Sequence, residues 1–512
     1  MTNTAENNKR IAKNTLLLYF RMLLTMVVSL YTSRIVLNTL GVEDFGTYNV
    51  IGGVVAMLGF LTGSLSAASS RYITYALGEG NFKNLQKTFA NIQAIHLLFA
   101  LFVIILAETI GLWFLNNYIQ VPSGRENAAF WVFQFSIITT SLSMISVPYN
   151  ASIIAHERMG TFAYISILDV ALKLFIVFLL QIINFDKLIL YAVFLCGVQA
   201  IIQFIYILYC KRHFKETLIL PKIDKKQFKE IVAFAGWTMN GNLAIMGFTQ
   251  GLNILLNIFF GPAINAARGI AVQVEAVVRH FCASFQMALN PQLTKSYAQQ
   301  DFTHMHTLLN VSSKFSFFLV LFISLPACLE ADLVLQWWLG NVPQYTVIFL
   351  RFILLTNLIG SLSNPIIVSV HATGNIKKFQ LIEGTTLLLI IPISYIGLKF
   401  FHYPPEYVFI VHLCIETITQ CIRIKIVLPM IQMKINTYIK EVIRPILKVL
   451  IIAPIIPIIV YLSIEKNTIN FFLICFLCIL SCGLFIYLLG CTSKEQIFIK
   501  NKLNTIYLKI KK

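Results

Sequence analysis

The stretch "ARGIAVQVEAVVRHFCASFQMALN", residues 267–290, sets Arg268, Glu275, Arg279, Gln286 and Asn290 among apolar neighbours. A helix advances about 100° per residue, so residues spaced by four, seven and eleven share a face. All five polar residues therefore lie on one narrow face. Guanidinium meets phosphate oxygens as a bidentate fork and stays charged when desolvated. Carboxamides supply both donors and acceptors, which suits sugar hydroxyls. A ligand with a phosphate and many hydroxyls fits both halves of that description.

Other segments repeat the pattern. Asn242, Thr249, Gln250, Asn253 and Asn257 share a sector, as do Asn14, Arg21, Thr25 and Thr32. Ser64, Ser66, Ser69, Ser70, Arg71 and Thr74 collect at the end of one segment, and His412, Glu416, Gln420 and Arg423 line another. Arg21, Arg268, Arg279 and Arg71 are the candidate anion ligands. Asn242, Gln250, Asn253, Asn257, Gln286 and Asn290 are the candidate hydroxyl-binding groups. Glu275, between Arg268 and Arg279, either positions them or couples an ion. Asp169 and Lys173, four apart, either couple an ion or pair and neutralise each other. Arg71 and Arg423, with Lys295 and Lys314, lie near segment ends, where long cationic side chains snorkel to the interface. Ser and Thr on helices often bond their own backbone and carry less weight.

The elements that hold these residues are apolar. The chain has 512 residues, 57% hydrophobic and 12% charged, with mean hydropathy +0.76. Soluble proteins are about a quarter charged. Segments of about 20 apolar residues, enough to cross a bilayer, recur from end to end. The expectation is an all-α polytopic membrane protein with about 14 transmembrane helices, near 11–38, 46–77, 88–113, 128–150, 161–183, 188–210, 231–260, 264–294, 308–335, 345–370, 379–400, 406–428, 444–463 and 469–490. A charge facing lipid at the bilayer centre costs about 2.5–3.5 kcal/mol. The polar faces should therefore point inward.

The net charge of +18 does not mark a nucleic-acid surface. Lys and Arg gather in alternate loops: Lys83/Lys87, 210–229, Lys377/Lys378, Lys434/Lys440/Arg444 and the tail. Loops such as 41–46 and 339–345 lack them. That is the positive-inside pattern, and it puts both termini in the cytoplasm. The first apolar segment, interrupted by Arg21, has no small-residue cleavage site and reads as a span. The ten Cys are scattered through apolar segments. Even Cys475 and Cys478 read as packing residues rather than metal ligands. No cofactor or metal is implied.

The basic stretch 211–230 separates an N-terminal lobe, 1–210, from a C-terminal lobe, 231–428, followed by two extra helices and a basic tail, 429–512. The lobes show an internal repeat. "SSRYITYALGEGN" (69–81) aligns with "LNPQLTKSYAQQD" (289–301), placing Thr74 on Thr294. "SVPYNASIIAHERMGTFAY" (146–164) aligns with "SNPIIVSVHATGNIKKFQL" (363–381), placing Pro148 on Pro365, Ser152 on Ser369 and Ala155 on Ala372. Six intervening spans give the repeats one orientation, related by an axis along the membrane normal.

The first eighty residues resemble bacterial polysaccharide flippases of the Wzx type, in the multidrug/oligosaccharidyl-lipid/polysaccharide exporter superfamily. The motif is the turn Leu40, Gly41, Asp44, Phe45, Gly46 and Tyr48, followed by "SSRY". The resemblance implies two six-helix lobes in a V with two C-terminal helices, in a bacterial inner membrane. It implies export of undecaprenyl-diphosphate-linked sugar repeat units for O-antigen or capsule, beside polysaccharide polymerase and chain-length machinery. In such flippases arginines of the first, second and eighth spans meet the diphosphate. The matching positions are Arg21, Arg71, Arg268 and Arg279; Arg34 lies on another face from Arg21. Drug-extruding relatives carry an acid in the first or seventh span, and neither 11–38 nor 231–260 contains Asp or Glu. That leaves Glu275, Asp169, Glu383 and Glu416 as ion-coupling candidates.

Two other classes compete. An exporter of a drug or of a peptidoglycan lipid precursor would share the fold. A membrane polymerase or glycosyltransferase would need catalytic acids or bases in sizeable outer loops, and among these only 114–127 has any length.

Overall fold

The computed structural model describes residues 2–56, 59–118, 124–183, 185–465, 467–493, 495–497 and 500. Lys494, the tail residues 501–512 and the side chain of Arg34 lie outside the described residues. The chain is all-helical. In order the helices are α1 Thr2–Ala56, α2 Gly59–Glu79, α3 Phe82–Asn117, α4 Glu126–Ala155, α5 Met159–Ile182, α6 Lys187–His213, α7 Lys225–Phe260 and α8 Pro262–Ala298. Then come α9 Phe302–Leu329, the short α10 Ala331–Leu339, α11 Thr346–Thr373, α12 Lys377–Phe400, α13 Tyr407–Met430, α14 Ile435–Ser463 and α15 Thr468–Gly490.

Every one of the fourteen expected segments holds helix. Eleven helices among the described residues are long and apolar enough to cross a membrane. The 37-residue α8 is long enough but is not among the eleven, because Arg268, Glu275 and Arg279 interrupt its middle. The helices start where short polar side chains cap them. Asn81, Asp186, Asp301 and Asn467 each accept from backbone N–H groups of the first turn, which satisfies donors that have no intrahelical partner. Inside α1 the backbone breaks at Gly41, with φ 81 and ψ 170. This conformation favours glycine and lets the chain turn back at the "LG..DFG" motif.

Two compact units emerge, Met1–Leu243 with Thr294–Gln300, and Ala244–Leu293 with Asp301–Lys512. In the first, α4 packs against α2, α3 and α6, and α1 against α5. In the second, α13 is the central helix, flanked by α11 and α12, while α9 packs on α11 and α15. The repeat seen in sequence recurs in hydrogen bonding. Ser152 Oγ donates to the Pro148 carbonyl at 3.0 Å, and Ser369 Oγ to the Pro365 carbonyl at 2.8 Å. Each serine hydroxyl bonds the carbonyl one turn back, and Ala155 and Ala372 are both fully buried a turn later.

The two helix ends differ chemically. Trp113, Trp131, Trp337 and Trp338 are all substantially exposed near the ends opposite the basic loops, as expected of an interfacial aromatic belt. At that end of the first unit, Arg125 joins three loops. Its Nε donates to Asp44 Oδ1 at 2.8 Å, and its Nη1 to Asp186 Oδ2 at 2.5 Å. Burial alone would raise the Asp186 carboxyl. Hydrogen bonds from Arg125 and from the Ile189 and Leu188 amides more than offset this and hold it below its usual value. A lowered folded-state pKa contributes stability above the unfolded value and loses it as pH falls through the folded one. Thermal unfolding in detergent should therefore show the wild type losing more Tm between about pH 5 and about pH 3 than Asp186→Asn. Equal losses would remove Asp186 from the account.

Candidate functional site

In the first unit, α1 presents Arg21 toward α5. Arg21 Nη1 lies 3.4 Å from Ser166 Oγ, and the guanidinium stacks over the Phe162 ring at 4.7 Å. Its buried Nε has no hydrogen-bond partner, and Arg21 forms no ion pair among the described residues. The nearby Asp169 is already engaged, since Lys173 Nζ donates to its Oδ2 at 2.8 Å. That pair follows from the i, i+4 spacing and leaves its turn without net charge. Asn242 Nδ2 donates to Ser64 Oγ at 3.0 Å. Arg71 does not extend away from its helix end. Its guanidinium lies over Tyr72 at 4.3 Å and Tyr75 at 4.8 Å.

In the second unit, α7 and α8 place the other candidates together. Arg268 is buried and donates to Asn253 Oδ1, and to the Thr249 carbonyl at 3.3 Å. Asn253 in turn donates to Gln250 Oε1 at 3.0 Å. Arg268 thus bonds only neutral oxygens among these contacts and forms no ion pair among the described residues. Glu275 pairs instead with Arg279 at 3.6 Å, a loose contact in which the Arg279 side chain stays 63% exposed. An exposed guanidinium in the middle of a membrane-length helix requires water or an anion beside it. Gln250 and Asn257 are likewise exposed, and Asn290 is half-buried.

Gln286 shares the face but has a fixed role. It is buried and donates to Ser316 Oγ at 2.9 Å and to the Ser361 carbonyl at 3.0 Å, tying α8 to α9 and α11. Thr25 and Thr249 bond their own helix backbones.

The snorkelling expected of Arg423, Lys295 and Lys314 is not observed. Arg423 Nε donates to Glu383 Oε1 and its Nη1 to Glu416 Oε1, both at 2.6 Å, with all three residues buried. Ser363 and Gln420 complete the network. Lys314, 2% exposed, pairs with Glu495 at 2.7 Å, and Lys295 pairs with Glu157 at 2.8 Å. Each cation found a carboxylate within reach, so turning inward cost less than reaching for the interface. The seven-residue spacing of Glu416 and Arg423 was a usable signal for the first; no local pattern announces the partners in distant loops.

No protein-family model and no curated protein matches the sequence. Solved structures do match. A multidrug resistance MATE family transporter of the MOP superfamily, in an outward-facing conformation, aligns with a TM-score of 0.72 over 84% of this chain and 96% of that one, at 13% identity. A MATE in complex with MaD3S gives 0.70 over 85% and 97%, at 14% identity. A MOP superfamily transporter from Pyrococcus furiosus, whose reversed binding-pocket polarity suggests a different function, gives 0.69 over 84% and 96%, at 13% identity. The chain therefore has the two-lobed fold of MATE transporters.

Partnered and unpartnered arginines should respond differently to substitution. Arg423→Met strands two buried carboxylates and is expected to destabilise by about 3–5 kcal/mol, read as a large fall in Tm in detergent. Arg21→Met removes a charge that has no carboxylate partner, and its Tm should stay near that of the wild type.

Proposed function

We propose that this protein is a flippase that carries an undecaprenyl-diphosphate-linked oligosaccharide from the cytoplasmic to the periplasmic leaflet of a bacterial inner membrane by alternating access. The observation that carries this reading is that Arg21 and Arg268 form no ion pair among the described residues. Unneutralised guanidiniums in membrane helices favour an anionic cargo. Arg268 and Arg279 with Glu275 leave one net positive charge on α8, and Arg21 leaves one on α1. Phosphate oxygens would supply the negative charge that each lacks. Gln250, Asn253 and Asn257 offer amides to sugar hydroxyls, while the polyprenyl chain stays in lipid.

The loose Glu275–Arg279 contact suggests how cargo is released. While phosphate occupies Arg279, Glu275 is displaced; when phosphate leaves, Glu275 closes on the guanidinium again. The polysaccharide polymerase and chain-length machinery would then act on the delivered lipid. The fold is shared with a multidrug transporter, which favours a drug exporter as a second reading. The cationic character of these faces argues against a cationic drug.

Two measurements test the proposal. In proteoliposomes, Arg21→Ala/Arg268→Ala/Arg279→Ala should slow translocation of lipid-linked sugar strongly. Each charged hydrogen bond lost is worth about 1.5–3 kcal/mol, or roughly 10–150-fold. A triple variant as fast as the wild type would refute the arginine assignment. Glu275→Gln should bind lipid-linked sugar more tightly and release it more slowly; weaker binding would mean that Glu275 only positions its neighbours.

A further inference from the structure

Residues 214–224 join α6 to α7, and their inward side is fixed. The Phe214 ring stacks on His156 at 4.0 Å. Glu216 and Thr217 are buried, and the Glu216 carboxylate stands 3.3 Å from His156 Nε2. Farther along, the Lys222 amide donates to the Ala90 carbonyl at 3.3 Å. Asn91 exchanges hydrogen bonds with the Asp224 backbone in both directions at 3.3 Å, and Lys87 pairs with the Asp224 carboxylate at 2.9 Å. Pinned at both ends, this stretch cannot turn its outer residues inward.

What it holds outward is aliphatic. Leu220 is 81% exposed, Leu218 62% and Ile223 50%. Around them stand six exposed cations, Lys211, Arg212, Lys215, Lys222, Lys225 and Lys226. Exposed aliphatic residues interleaved with Lys and Arg suit the bilayer interface. The apolar groups enter the headgroup–acyl boundary while the cations meet anionic lipid phosphates. Position supports the same occupant. α6 and α7 are both apolar enough to span the membrane, so the short connection between them stays at its surface.

We propose that residues 211–226 form a clip for anionic phospholipid, with Leu218, Leu220 and Ile223 seated among the lipids and the surrounding Lys and Arg side chains on their phosphates. The clip holds whatever solute is transported.

The test uses the full chain in vesicles of phosphatidylcholine, with or without phosphatidylglycerol. Leu220→Cys carries an environment-sensitive nitrobenzoxadiazole probe, and wild type labelled in parallel gives the background from native cysteines. Ile223→Cys repeats the measurement should Leu220→Cys fold poorly. The expected result is blue-shifted emission, quenched several times more by spin-labelled phosphatidylglycerol than by spin-labelled phosphatidylcholine. Lys215→Gln/Lys222→Gln/Lys226→Gln should reduce that preference, by up to about fivefold per lysine removed, while emission stays blue. Water-like emission in both vesicles would leave the face to a soluble partner and overturn the proposal. So would quenching without preference for the anionic lipid.

Discussion

A charged side chain left to lipid costs about 2.5–3.5 kcal/mol, and this chain meets that constraint in three ways. Arg423 takes two carboxylates within its own unit and buries all three groups. Arg71 rests on aromatic faces. Arg21 and Arg268 take only neutral oxygens and ring faces and keep their charge without a carboxylate among the described residues. The first arrangement holds helices together, and the last leaves a guanidinium without a counter-charge.

The same constraint shapes the ends of the helices. Where the chain leaves the membrane it can solvate its charges, and loops are then fastened by ion pairs across long sequence distances. Arg125 fastens the turn after Gly41 to the cap of α6. Lys314 fastens α9 to the region beyond α15. The proline–serine pair repeats in α4 and α11, with the serine hydroxyl bonded to the proline carbonyl in both units.

Much of this was legible in the sequence because hydropathy reports burial directly. Each expected segment holds helix among the described residues, eleven of them in helices long and apolar enough to cross a membrane, and the Pro148/Pro365 alignment has a physical counterpart. The face holding Arg268, Glu275 and Arg279 was visible from spacing alone, as was the Asp169–Lys173 pair. Periodicity could not separate Gln286, bonded to Ser316 and the Ser361 carbonyl, from Gln250, which stays exposed on the neighbouring helix. That distinction depends on what the neighbouring helix offers, and one helix's pattern holds no record of it. Snorkelling failed for Arg423, Lys295 and Lys314 for the same reason. Glu383, Glu157 and Glu495 lie far off in sequence, and proximity in the fold, not along the chain, decided the outcome.

The end of α8 and the two residues after it, Thr294–Gln300, belong to the first unit, although the rest of that unit ends at Leu243. The carboxylate of Glu157 meets Lys295 across a separation of 138 residues. A ribosome adding about 5–20 residues per second needs about 3–10 seconds to pass from Leu243 to Thr294. Throughout that interval the N-terminal half sits in the membrane without its final piece. The contacts of the first unit are therefore completed only after part of the second has been synthesised.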